Sequence, residues 1–129
     1  MPRPILGESR IHPAIRDKLA HLHQDLVQEV ATAADRDDVV VVGMASNPFV
    51  KKARKMLDQA GQRYTYLEYG SYLSRWRERN ALKMWTGWPT FPMVFVRGML
   101  IGGASELQAL LQSGELKKQL EQPRTAATP

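Results

Sequence analysis

The groups in this chain best suited to meet another molecule are main-chain groups. From Trp88 to Gly103 the sequence reads Trp-Pro-Thr-Phe-Pro-Met-Val-Phe-Val-Arg-Gly-Met-Leu-Ile-Gly-Gly. Pro89 and Pro92 bracket Thr90 and Phe91, and an apolar run follows at once. A proline ahead of a strand brings no N–H to the ladder and restricts the residue before it. The cis penalty at an X-Pro bond is only about 0.5–1 kcal/mol, so Pro92 is expected in cis. Gly102-Gly103 permits positive φ and close approach of a ligand to the backbone. Two such devices at neighbouring strand ends predict a groove that binds through main-chain hydrogen bonds.

Side-chain chemistry is sparser. The chain has no cysteine, which excludes disulfides, thiolate catalysis and cysteine-ligated metal. Its histidines are His12, His21 and His23. A helical metal site wants ligands at i and i+3 or i+4, and His21 and His23 are two apart and diverge. They are read as surface residues, and no metal site is expected. Lys51, Lys52, Arg54 and Lys55 make a basic cluster, and no His, Asp or Glu lies between Gly43 and Met56 to act as a base.

The elements that must position these groups follow from periodicity. Residues 1–11 form an N-terminal arm. Ile11, Ile15, Leu19, Leu22, Leu26 and Val30 recur at spacings of three and four, predicting one amphipathic helix over Pro13 to Ala33. Val39 to Val42 is a continuous β-branched run, the pattern of a central strand buried on both faces. Asn47 then caps a second helix with Pro48 at its first position. Phe49, Val50, Ala53, Met56, Leu57 and Ala60 supply its apolar face, and Gly61 ends it. Tyr64 to Tyr69 alternates as a strand, and the short strand–helix–strand link predicts parallel pairing. Ser71 to Trp85 reads as a third helix, with Tyr72, Trp76, Leu82 and Trp85 inward. The Trp88–Gly103 hairpin turns at Arg97-Gly98. A helix from Ser105 with Leu107, Leu110 and Leu111 inward and a last turn or two to Leu120 complete a four-stranded mixed sheet flanked by helices. Residues 122–129 read as a flexible tail.

At 129 residues with 43% apolar content, the chain suits one domain with a true core. No apolar run reaches membrane-spanning length, and Met1-Pro2-Arg3-Pro4 lacks a secretory apolar segment, so a cytoplasmic protein is expected. The net charge of +5 favours anionic ligands without demanding nucleic acid. The aromatic and basic stretch Tyr72 to Lys83 has the ingredients of a base-stacking surface. Helical spacing turns its tryptophans inward, so no nucleic-acid partner is expected.

This order of elements and motifs resembles the glutaredoxin family of the thioredoxin fold, over about residues 12–121, with residues 12–34 as an extra N-terminal helix. Trp88-Pro89-Thr90-Phe91-Pro92 is close to the WPT-x-P of the monothiol members, and Gly102-Gly103 follows at the family's distance. Arg79-x-x-Leu82 ahead of it and Leu107-x-x-Leu110-Leu111-x-Ser113-Gly114 after it are similar too. The departure is at the nucleophile. The family's cysteine motif falls on Asn47-Pro48-Phe49-Val50, so Asn47 holds the nucleophile's place and Val50 that of the second cysteine. The upstream lysine is also missing, with Met44 or Ala45 near its place. An amide is neither an exchangeable sulfur nor a nucleophile, so no catalytic residue is assigned. Ligation of an iron–sulfur cluster by the chain's own cysteine is excluded as well.

The resemblance implies a glutathione groove. Arg79 matches the residue that meets the glycine carboxylate. Phe91, with Thr90 before it and Pro92 after it, matches the main-chain edge that pairs with the cysteinyl unit. Gly103, Ala104 and Ser105 match the γ-glutamyl site, where Ser105 replaces the usual aspartate. Losing that carboxylate and the lysine removes two charge-assisted contacts of about 1.5–3 kcal/mol each, which predicts millimolar affinity. The reading is a redox-inactive binding or adaptor domain for glutathione or a protein segment. The alternative is an enzyme, redox or transferase, that uses the thiol of bound glutathione. The N-terminal helix offers a surface for a homodimer.

Overall fold

A computed structural model of the chain describes residues 3–122. Four strands order as β2-β1-β3-β4: β1 (Val39–Gly43), β2 (Thr65–Glu68), β3 (Met93–Val96) and β4 (Met99–Gly102). β1 pairs parallel with β2 and antiparallel with β3, and β3 pairs antiparallel with β4. β1 is therefore internal, as its unbroken valine run predicts. Side chains alternate across a strand, so Val40 and Val42 enter one core with Leu26, Val30, Leu82, Met93 and Phe95. Val39 and Val41 enter the other with Ala53, Leu57, Val94, Val96, Leu107 and Leu116. Each fully buried valine contributes about 1.5–3 kcal/mol relative to exposure, which makes β1 the central beam of both layers.

The helices split between those faces. α1 (Pro13–Ala20), α2 (Gln24–Arg36) and α4 (Trp76–Thr86) alternate in the chain with α3 (Pro48–Gln59), α5 (Ala104–Ser113) and α6 (Glu115–Glu121). α2 and α4 cover the first core. α3, α5 and α6 cover the second, through Ala53 and Leu57, Leu107, and Leu116.

Several boundaries differ from the sequence expectation. The N-terminal segment is two helices, broken where His23 takes a left-handed conformation at φ 47°. Only the second half packs: Leu26 and Val30 are buried, whereas Ile15, Leu19 and Leu22 are exposed and α1 buries none of its residues. The regular spacing of leucines runs through the break because neither Gly nor Pro marks it, and histidine tolerates the left-handed region better than most residues.

The third helix starts at Trp76, not Ser71. The Ser71 N–H donates to Ser74 Oγ at 3.1 Å, and the Leu73 N–H donates to Ser71 Oγ at 3.3 Å. Serines that bond local backbone compete with helix formation. The aromatics therefore face outward: Tyr72, Trp76 and Trp85 are all exposed, the last while stacking on Phe95 at 6.2 Å between centroids. Phe49, expected on the inner face of α3, is also exposed, because the buried face of that helix is Val50, Ala53 and Leu57.

In the arm, Arg3 Nη1 donates to the Thr86 carbonyl at 2.9 Å, and Glu8–Arg10 forms a short 3-10 turn. Of the expected tail, Gln122 accepts through its carbonyl from Arg97 Nη2 at 2.9 Å. Residues 123–129 lie outside the described residues.

Candidate functional site

Three chain segments converge at one end of the sheet. β1 runs out into the loop that carries Asn47. Val42 pairs with Met93, which sets Phe91 and Pro92 beside that loop. β4 runs out at Gly102, paired with Val94, into the start of α5. The hairpin that aligns the last two turns at Arg97 (φ 53°) and Gly98 (φ 83°), the double positive φ of a tight two-residue link.

The first wall is the start of α3. Asn47 Oδ1 accepts from the Phe49 N–H at 2.9 Å and the Val50 N–H at 3.1 Å. A helix start leaves four N–H groups unpaired and carries a partial positive charge. Here two of those donors are satisfied by the amide oxygen of a residue that is itself buried. Below it, Val50 presses on Gly43, where an added Cβ would lie 2.7 Å from Val50 Cγ1. Met44 in the loop is buried, and Lys51 and Lys52 stand exposed near the start of α3.

The second wall is the strand entrance. The Phe91–Pro92 peptide bond is cis. Phe91 is buried, with Lys83 Nζ 5.8 Å from its ring centroid. Its backbone N–H and carbonyl have no partner among the described residues. Thr90 beside it is exposed.

The third wall is the start of α5. Gly102 sits at φ 115°, a conformation that L side chains rarely adopt, and an added Cβ would lie 2.7 Å from Glu106 Cγ. Gly103 is extended, and its missing Cβ leaves room 3.3 Å from the Pro92 carbonyl oxygen and 3.7 Å from Trp88 Nε1. That indole N–H is buried and has no hydrogen-bond partner among the described residues. Glu106 Oε1 accepts from the Gly103 N–H at 2.9 Å, so this carboxylate serves its own helix. Ala104 is buried and Ser105 exposed.

Arg79 belongs to a fourth element. It is buried on α4, and its Nη1 donates to the Tyr69 carbonyl at 3.0 Å and the Ser74 carbonyl at 2.6 Å. Those two acceptors are the feature that sequence reasoning missed. The pair of serines at i and i+3 was the available signal of a local turn. Tyr69 is in turn anchored: its hydroxyl donates to Glu29 Oε1 on α2. Burial, then the Glu29 carboxylate, push its phenol pKa up. The histidines stay apart from all of this; His12 Nδ1 accepts from the Ala14 N–H at 3.0 Å, capping α1. Among the described residues, no three His, Asp or Glu gather into a metal-binding group, and no helix is long and apolar enough to cross a membrane.

This arrangement can present unpaired main-chain groups and a helix start to an extended ligand. It places no thiol, and no base in the loop, at the position facing that edge. Comparison with known proteins gives the same lineage. A family model described as glutaredoxin matches residues 39–101. A glutaredoxin-like protein of Dictyostelium discoideum is 45% identical over 107 residues, covering 83% of this chain and 87% of that protein. Glutaredoxin 4 of Buchnera aphidicola (from Schizaphis graminum) is 32% identical over 64% of this chain and 80% of its own length. Among solved structures, oxidized glutaredoxin 2 of Chlamydomonas reinhardtii aligns at a TM-score of 0.66 with 27% identity, over 77% of this chain and 94% of that one. A buckwheat glutaredoxin–glutathione complex aligns at 0.66 with 24% identity, over 78% and 91%. On this likeness, and with no cysteine in its sequence, the chain belongs to the glutaredoxin family.

Proposed function

We propose that this chain is a binding domain that performs no redox chemistry of its own and holds glutathione or an extended protein segment in the inherited groove. The observation that carries this reading is Asn47: its oxygen is committed to the helix start where the family's thiolate would react. Along the opposite edge, Phe91 supplies free main-chain groups for an antiparallel pairing, with Thr90 and Pro92 framing it. Gly103, Ala104 and Ser105 receive the γ-glutamyl end at the start of α5, and Arg79 receives the carboxylate at the other end. The buckwheat protein of the same fold is seen with glutathione.

Binding in this reading is weak, since Ser105 brings no charge to an ammonium group and Met44 is no lysine. An NMR titration with reduced glutathione is expected to shift Phe91 and Ser105 with a millimolar Kd. Micromolar affinity, or no shift at these positions, contradicts it. A turnover assay with glutathione and a disulfide or electrophile is expected to stay at background. Clear activity favours instead an enzyme, redox or transferase, that borrows the thiol of its ligand. Asn47→Cys is expected to gain thiol reactivity toward glutathione disulfide, because the start of α3 stabilises a thiolate.

A cytoplasmic setting belongs to the same proposal, checked by cell fractionation. So does a homodimer through the N-terminal segment. The uncovered face of α1 favours it: Ile15 and Leu19 stand exposed with Leu22, Met84 and Trp85 nearby, and Leu19, Leu22, Met84 and Trp85 line a groove of about 260 Å³. Analytical ultercentrifugation is expected to show dimer, and a monomer at high concentration removes this part.

A further inference from the structure

The hydrogen bonds of Arg79 carry a consequence for ligand entry. One nitrogen, Nη1, holds two carbonyl oxygens, those of Tyr69 and Ser74. Both Nη1 hydrogens are thereby used, so the end-on fork of Nη1 and Nη2 that a carboxylate takes up is half filled by main-chain oxygens. Both oxygens belong to the segment between β2 and α4. We propose that the strap Gly70–Arg75 is a built-in occupant of the carboxylate end of the groove, and that an incoming carboxylate must lift the Ser74 carbonyl off Arg79. This rests on reading Arg79 as the carboxylate-binding residue.

The strap has the anatomy of a movable piece. At its ends, Gly70 has φ 69° and Arg75 has φ 56°, left-handed conformations that change the chain's direction abruptly. Between them the turn is closed on itself. The Ser74 N–H donates to the Ser71 carbonyl at 3.2 Å, the Ser71 N–H donates to Ser74 Oγ, and the two hydroxyls meet at 3.3 Å. It hides no apolar surface: Tyr72 and Leu73 at its tip are 62% and 96% exposed. Little burial resists its displacement, which is the condition for local opening.

The two ends are not equivalent. Tyr69 is fixed: its N–H donates to the Gly43 carbonyl at 2.9 Å, its hydroxyl is bound by Glu29, and its ring lies 5.4 Å from the Arg75 guanidinium. Among the described residues Ser74 is held by the turn and Arg79 alone, and the contact of its neighbour Arg75 with the Tyr69 ring is an exposed cation–π approach. Opening is therefore a swing of the Ser74 side about Gly70, with Tyr69 left in place. Gly70 also sets the closed state. A Cβ there would stand 2.5 Å from the Ser74 oxygen, so only glycine lets that oxygen reach the arginine. Occupancy of the groove is thereby coupled to the position of Tyr72 and Leu73, which a protein partner reads as a different surface.

The test compares the wild-type chain with Gly70→Ala and with Ser71→Ala/Ser74→Ala, using reduced glutathione as the probe. Gly70→Ala forces the Ser74 carbonyl away. The double variant loosens the turn without touching φ, and it carries the test if Gly70→Ala fails to fold. Each is expected to bind glutathione about three- to tenfold more tightly, the worth of one hydrogen bond no longer displaced. In the wild type, saturating glutathione is expected to speed exchange of the Ser74 amide hydrogen about tenfold or more as the strap opens. Shifts at Phe91 and Ser105 with unchanged Ser74 exchange, or equal affinity in all three proteins, overturn the strap and leave the groove standing. No binding in any of the three overturns the groove reading itself, and the strap's role with it.

Discussion

Two helix starts face the groove, and they are finished differently. α3 is capped from in front: Asn47 places its own oxygen on the Phe49 and Val50 amides. α5 is capped from behind: Glu106 reaches back to the Gly103 N–H, and Gly103 has no side chain to place in the groove. The first closes the start of its helix with a side chain placed over the two amides. The second leaves the approach to the helix open and keeps Ser105 at the surface. In the proposed reading, a closed start at α3 is compatible with a groove that still receives a ligand, because the start of α5 stays open.

Breaking the glycine end should cost most. Gly102→Ala places a methyl at φ 115° and against Glu106, so a loss of about 2–3 kcal/mol in denaturant unfolding is expected. Next comes a gain at the same helix. Ser105→Asp restores a charge for an ammonium group, and calorimetry is expected to show glutathione affinity up about tenfold. At the opposing helix, Asn47→Ala removes the oxygen shared by two amides and should lower stability by about 1 kcal/mol. Smallest is Glu106→Ala, expected to cost about 0.5 kcal/mol in thermal unfolding while Glu106→Gln stays near wild type, since either side chain can complete this cap. If Asn47→Ala proved neutral and Glu106→Ala severe, the contrast between a closed and an open helix start would be reversed.

Much of this was legible because it is local. Four consecutive valines can only be buried on both faces, Asn-Pro announces a capped helix, and Arg-Gly with flanking apolar pairs announces a tight turn. What escaped depends on contacts distant in sequence or on breaks without punctuation. His23 interrupts a stripe whose spacing never falters. Trp76 and Trp85 look inward by period, yet α4 buries Arg79, Ala81 and Leu82. Arg79 itself shows why a buried charge is hard to read from sequence: its charge is visible, but the two carbonyls it holds lie ten and five residues away.

The first helix carries one more consequence. An isolated helix shorter than about 12–15 residues is marginal in water, and α1 has eight residues, none of them buried. Its cap at His12 and the proline at its first position bias the backbone, but they supply no cooperative length. The helix content of α1 is thus a gauge of whatever lies against it. Amide signals from residues 14–20 would sharpen or fade with neighbours rather than with the integrity of the sheet, making this segment a natural reporter of company in an otherwise self-sufficient fold.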